Sequence, residues 1–144
     1  MPLEGALLVI DDDAGFNRLF RAFCACEQVL SAESLDAGIA IAAKSSPAYI
    51  FLDVRFDGPW RTGIDAIAQL RAVAPAAKII VMTSCPNAYD KSRAEAAGAS
   101  AYVEKAGLAR SNGVSESLRA VRATTRRRSG AKPLRAARAA PKKG

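Results

Sequence analysis

Four short apolar stretches of this chain end in side chains that handle charge. Val9-Ile10 runs into Asp11-Asp12-Asp13, Phe51-Leu52 into Asp53, Val81-Met82 into Thr83-Ser84, and Tyr102-Val103-Glu104 into Lys105. Gathered in one place, Asp11, Asp12 and Asp53 would repel one another and hold their protons more tightly unless a cation intervened. A hard divalent ion removes that repulsion, and Mg²⁺ suits one or two carboxylates completed by waters and a phosphate. Lys105 offers a compact positive charge for a phosphoryl oxygen, and Thr83 offers a hydroxyl donor. A carboxylate nucleophile can form an aspartyl phosphate, a transfer that asks of the protein mainly positioning and neutralisation of charge. Each residue also has a bland explanation. Asp13 suits a helix N-cap, and a lone lysine after a strand is ordinarily solvated. Their joint occurrence at four run ends is what the bland explanations do not cover.

These residues are far apart in the chain, so elements must bring them together. Five apolar runs, Ala6–Ile10, Gln28–Ala32, Tyr49–Leu52, Lys78–Met82 and Ala101–Val103, read as strands. Most are continuous rather than alternating, as expected where both faces of a sheet are covered. Helical spacing lies between them: Phe16, Leu19, Phe20 and Phe23, then Leu35, Ile39 and Ala42, then Ile64, Ile67 and Leu70. Ser92–Ala97 is Ala-rich and stops at Gly98, a residue suited to ending a helix. Val114, Leu118 and Val121 mark a last helix entered near Asn112–Gly113. Five-fold strand–helix alternation implies an α/β fold with a parallel sheet and helices on both faces. In such a sheet the C-terminal strand ends share one edge, where ligands bind.

The 144 residues suffice for one domain with a core, and half of them are hydrophobic. The net charge of +7 is unevenly spread. Ten basic and no acidic residues lie between Arg119 and Gly144, so the first 118 residues carry 11 basic against 14 acidic. The expected organisation is a mildly acidic domain over residues 1–123 and a basic, disordered tail over 124–144. Weak polyanion binding is one use open to that tail, without base stacking, because no aromatic residue interrupts it. Cys24, Cys26 and Cys85 have neither a disulfide framework nor histidines for a zinc site. With no leader-like N-terminus and no apolar run of membrane-spanning length, the expectation is a cytoplasmic protein with no membrane partner.

Val9-Ile10-Asp11-Asp12-Asp13, Phe51-Leu52-Asp53, Val81-Met82-Thr83-Ser84 and Gly98-Ala99-Ser100-Ala101-Tyr102-Val103-Glu104-Lys105 together resemble the receiver domains of two-component response regulators. The resemblance covers roughly residues 5–123. It implies a flavodoxin-like, doubly wound (βα)5 fold with a five-stranded parallel sheet in the order 2-1-3-4-5. It implies Asp53 as the phosphoacceptor, served by a histidine kinase or phosphotransfer protein. It implies Asp12, Asp53 and the backbone carbonyl of Arg55 as Mg²⁺ ligands, with Asp11 acting largely through water. Thr83 and Lys105 would contact the phosphoryl group. Tyr102 would turn inward with Thr83 and reshape the face made by the fourth helix, fifth strand and last helix for a downstream protein target. The chain would then be a phosphorelay switch rather than an enzyme.

The chain also departs from the family's pattern. Asp57 stands where proline is usual, and Gly63 comes ten residues after Asp53, so the loop Arg55–Thr62, with Trp60, is about two residues longer. Ala106 replaces the proline that usually follows the lysine, and Gly107–Gly113 is a longer approach to the last helix. Arg55 and Cys85, two residues beyond Asp53 and Thr83, offer no general base to a hydrolytic water, which implies a long-lived phosphorylated state. The altered loop supports an alternative, a receiver used as a scaffold without phosphorylation. The retained carboxylates, Thr83 and Lys105 speak against it. A nucleotide- or flavin-binding protein on a similar sheet is a poorer reading, since Asp11-Asp12-Asp13 would repel a phosphate after the first strand.

Overall fold

The computed structural model describes residues 5–24, 28–56, 62–110 and 112–131, with side-chain surroundings through residue 123 outside the excepted stretches. Five strands, β1 (Leu7–Ile10), β2 (Val29–Ala32), β3 (Tyr49–Asp53), β4 (Lys78–Thr83) and β5 (Ala101–Glu104), alternate with helices. All pairings are parallel, and the strand order is β2-β1-β3-β4-β5. The flavodoxin-like arrangement expected from the sequence is therefore the one the chain adopts. Alternate residues of each strand face opposite sides, and the core splits accordingly. Leu8, Ile10, Ile50, Leu52, Ile79 and Val81 pack under α2 (Leu35–Ser45), α3 (Gly63–Val73) and α4 (Ala88–Ala97). Leu7, Val9, Phe51, Ile80 and Met82 pack under α1 (Ala14–Phe23), α5 (Lys105–Leu108) and α6 (Gly113–Ala131). The inner strands β1, β3 and β4 are buried almost throughout, whereas edge strands β2 and β5 are half-buried. That difference is the reason β1, β3 and β4 read as continuous apolar runs.

The helix starts are set by side chains. Asp13, Ser34 and Asn87 accept the amide of the third residue of α1, α2 and α4 respectively, satisfying donors a helix cannot satisfy itself. Thr62 and Asp65 form a reciprocal capping box at α3. Capped by Asn87, α4 begins at Ala88, four residues before the expected Ser92, because the cap, not an apolar stripe, determines where that helix starts. Gly98 ends it with φ of 110°, a conformation that costs glycine little.

Two expectations are corrected. The stripe Phe16, Leu19, Phe20 and Phe23 predicts Leu19 on the inward face of α1, but Leu19 is exposed and Asn17 is buried in its stead. The Asn17 side chain donates to the main-chain oxygen of Asp11 at 2.9 Å, which rotates the inward face of α1 away from Leu19. Lys105–Leu108, running into the stretch Gly107–Gly113, forms an additional helical turn, α5, that buries Leu108; the last helix expected from the sequence is thus α6. The helix α6 continues to Ala131. Ala and Arg propagate a helix well, and proline first interrupts at Pro133. The remaining tail, Asp57, Trp60 and Cys26 lie outside the described residues. Among the described residues, no helix is long and apolar enough to cross a membrane.

Candidate functional site

The parallel register carries the reactive side chains to one edge of the sheet. Ile10 pairs with Leu52, so Asp11 and Asp53 leave β1 and β3 side by side. Asp53 pairs with Met82, and Thr83 with Glu104, which places Thr83 and Lys105 one step beyond on the neighbouring strands. Carboxylate oxygens of Asp11, Asp12 and Asp53 lie within 4.8 Å of one another. Asp11, Asp53 and Thr83 are buried, and Asp12 is the more open member. Lys105 reaches back over the edge from the first turn of α5. Its Nζ lies 2.6 Å from Asp11 Oδ2 and 3.8 Å from Asp53 Oδ1.

The turn after β1 is held by its own groups. The Asp13 amide donates to Asp11 Oδ1 at 2.9 Å, and the Phe16 amide donates to Asp13 Oδ1 at 3.1 Å. Asn17 closes the turn from α1 through its bond to the Asp11 main chain. At β3 the backbone leaves Asp53 through Val54, whose amide donates to the Met82 carbonyl and whose carbonyl accepts from Gly63. Arg55 and Thr62 then form an antiparallel bridge. The enlarged loop is therefore pinched at its base, and its extra length does not disturb the strand that carries Asp53. Gly63 is obligatory there, since a Cβ on it would meet the Asp53 main-chain oxygen at 1.9 Å.

One ammonium among three carboxylates leaves the cluster net negative. Burial pushes the Asp53 carboxyl up to about 7; the Asp11 and Asp12 charges add to the rise, while Lys105 and the Val54 amide oppose it. Hard oxygen donors packed this closely, with an excess of negative charge, match what a small divalent cation requires. The donor set fits Mg²⁺ on chemical grounds.

Asp11, Asp12, Asp53 and Lys105 thus come together, with Thr83 beside them. Thr83 Oγ1 accepts from the Cys85 amide at 3.1 Å. Arg55 is exposed, and its carbonyl belongs to the pinched base of the loop. Tyr102 stands apart from the cluster. It is half-buried, and its hydroxyl accepts from the Asn87 amide at 3.2 Å, at the cap of α4. Phe16, Asn17 and Gly63 also shape the site; sequence reasoning placed Phe16 on a helical stripe, noted Gly63 only for its spacing from Asp53, and did not single out Asn17. The one available signal was Asn17, a polar residue just after the acidic turn on an otherwise apolar helix face.

The sequence profile of the response regulator receiver domain matches residues 7–111. The chain belongs to the response-regulator receiver family. This receiver is 38% identical over 104 residues to the photosynthetic apparatus regulatory protein RegA of Rhodovulum sulfidophilum, an alignment covering 71% of the chain and 56% of RegA. It therefore spans about half the length of that relative. Its fold is similar to the receiver domain protein (CheY-like) of Methanospirillum hungatei JF-1, with a TM-score of 0.73 at 18% identity, covering 85% of this chain and 98% of the other. The chemotaxis protein CheY4 of Vibrio cholerae gives a TM-score of 0.73 at 20% identity, covering 83% and 99%.

Proposed function

We propose that this receiver accepts a phosphoryl group on Asp53 from a histidine kinase or phosphotransfer protein, with Mg²⁺ held by Asp11, Asp12, Asp53 and the Arg55 carbonyl. The observation that carries this reading is the pair of buried carboxylates, Asp11 and Asp53, with the half-buried Lys105 ammonium beside them at the sheet edge. A purely structural role gains nothing from buried carboxylates that repel each other. In the transfer, an Asp53 carboxylate oxygen forms a bond to phosphorus. The bond from phosphorus to the donor's nitrogen or oxygen breaks, and the leaving group keeps the electron pair. Bound Mg²⁺ would neutralise charge on the phosphoryl oxygens. Lys105 supplies a second positive charge, next to Asp53 Oδ1, and Thr83 supplies a hydroxyl for a remaining oxygen. Burial keeps bulk water from competing with these groups.

Tyr102 is the proposed reporter of that event. Its hydroxyl is bound at the cap of α4, so movement of Thr83 and Tyr102 would alter α4, β5 and α6, the face offered to a downstream protein target. The basic stretch from Arg119 onward is proposed to bind polyanions weakly and without sequence preference.

Incubation with acetyl phosphate and Mg²⁺, followed by intact-protein mass spectrometry, tests the central claim. Wild type should gain one hydroxylamine-sensitive phosphoryl group, and Asp53→Asn should gain none while remaining folded. Equal labelling of the two would sink the assignment. An unlabelled wild type would favour the scaffold reading.

A further inference from the structure

We infer that Phe16 is a positioning residue for phosphoryl transfer, the face of its ring holding the Lys105 ammonium where it can serve a phosphoryl group on Asp53. The inference rests on the reading of Asp53 as phosphoacceptor. Lys105 Nζ sits over the Phe16 ring, 4.5 Å from its centroid, a distance at which the negative face of a ring attracts a cation. Three neighbours therefore surround the ammonium: Asp11 at contact distance, Asp53 farther away, and the ring. A lysine ammonium is a point charge on a flexible four-carbon stem, and Asp11, the nearer carboxylate, draws it from Asp53. The ring attracts the charge without taking up one of its three N–H donors, so those donors stay available for oxygen atoms. Nor does the ring change charge when a phosphoryl group arrives.

The ring itself is firmly mounted. Phe16 is buried in the first turn of α1, where its amide is held by Asp13. Its ring lies 6.2 Å from that of Phe20, which meets Phe51 edge-on at 4.8 Å. Phe51 lies on β3, two residues before Asp53. The surface that locates the ammonium and the strand that carries the nucleophile thus belong to one packed aromatic row. An aliphatic side chain at residue 16 would fill the space but present no negative face to the charge.

The test is site-specific replacement of Phe16 by mono-, di- and trifluorinated phenylalanines, which drain the ring face with little change of shape, alongside Phe16→Leu and Phe16→Tyr. The readouts are the Kd for beryllofluoride in Mg²⁺ and the rate of phosphorylation by acetyl phosphate. Binding and rate should fall stepwise with fluorine count, reaching roughly two- to thirtyfold for the trifluorinated ring and Phe16→Leu. Phe16→Tyr should stay near wild type, and the same fluorination at Phe20 should have no effect. A flat series in a protein that is otherwise phosphorylated overturns the role of Phe16 and leaves Asp53 as acceptor. A wild type that takes no phosphoryl group removes both.

Discussion

Asp53 serves opposite demands, because a nucleophile must be ionised and a buried carboxylate resists ionisation. Its carboxyl titrates near 7 in the folded protein, against an ordinary value of 3.8. Between those pH values the folded state holds a proton that the unfolded state has lost. Without divalent metal, the contribution of this group to stability is therefore greatest below 3.8 and declines as pH rises to about 7. Asp53→Asn removes that decline. At pH 8 in EDTA the variant should be more stable than wild type by on the order of 2 kcal/mol, a Tm gain of several degrees. The gain should shrink toward pH 4, and Mg²⁺ at pH 8 should stabilise wild type more than the variant. Thermal melts at both pH values decide the matter, and a gain independent of pH would refute it. The lifetime of the phosphorylated state is also set by single residues. The Cys85 amide is bound to Thr83 Oγ1, so a carboxylate at residue 85 would stand next to the phosphoryl group and could activate water. Cys85→Glu should speed decay several-fold. Arg55→Asn should do so less, since asparagine brings no carboxylate to activate water. Unchanged decay in both variants would show that neither residue guards the site.

The junction of β3 and α3 shows how elements hold the site. The Gly63 amide donates to the Val54 carbonyl, and the missing Cβ lets α3 start against the Asp53 main chain. Gly63→Ala should cost about 3 kcal/mol or more, because the atom it meets is backbone and cannot turn aside. Thr62→Ala, which removes only the cap, should cost about 1 kcal/mol and leave labelling of Asp53 intact. Denaturant melts of the two variants should separate them clearly; similar losses would mean the close approach relaxes easily. The parallel sheet and the convergence at its edge were legible in the sequence because buried strands are continuous apolar runs, and their charged ends stand out against them; the strand order came only with the family resemblance. Side-chain partnerships across elements were not. Leu19 fits the helical stripe as well as Phe16 does, and only the bond from Asn17 to Asp11 turns α1 so that one is buried and the other exposed. The α5 turn was hidden for a similar reason. Lys105–Leu108 is too short to show periodicity, and its stability comes from burying Leu108.

At the scale of the whole molecule, charge and fold are segregated. The acidic cluster sits at one edge of a mildly acidic body, while Arg119–Gly144 holds ten basic residues and no acidic ones. The inward face of α6 is Val114, Leu118 and Val121, all buried against the sheet, and Arg119 and Arg122 are exposed. Among the described residues the buried apolar positions of α6 run no further than Val121, so the body should not need the basic segment beyond Ala123. Truncation after Ala123 removes eight of the ten basic residues and leaves the buried contacts of Val114, Leu118 and Val121 in place. The truncated protein should be phosphorylated by acetyl phosphate as fast as the full chain. Its Tm should stay within a few degrees, because residues 124–144 hold a single large apolar side chain, Leu134, and so have little apolar area to bury. Salt-sensitive retention on heparin or random-sequence DNA should disappear. For the full chain that retention should fall steeply with added salt, as expected when phosphate or sulfate contacts release counterions. Retention that survives truncation would place the polyanion site on the body and rule out the basic extension as its cause. Loss of phosphorylation on truncation would show instead that the extension of α6 supports the sheet edge from a distance.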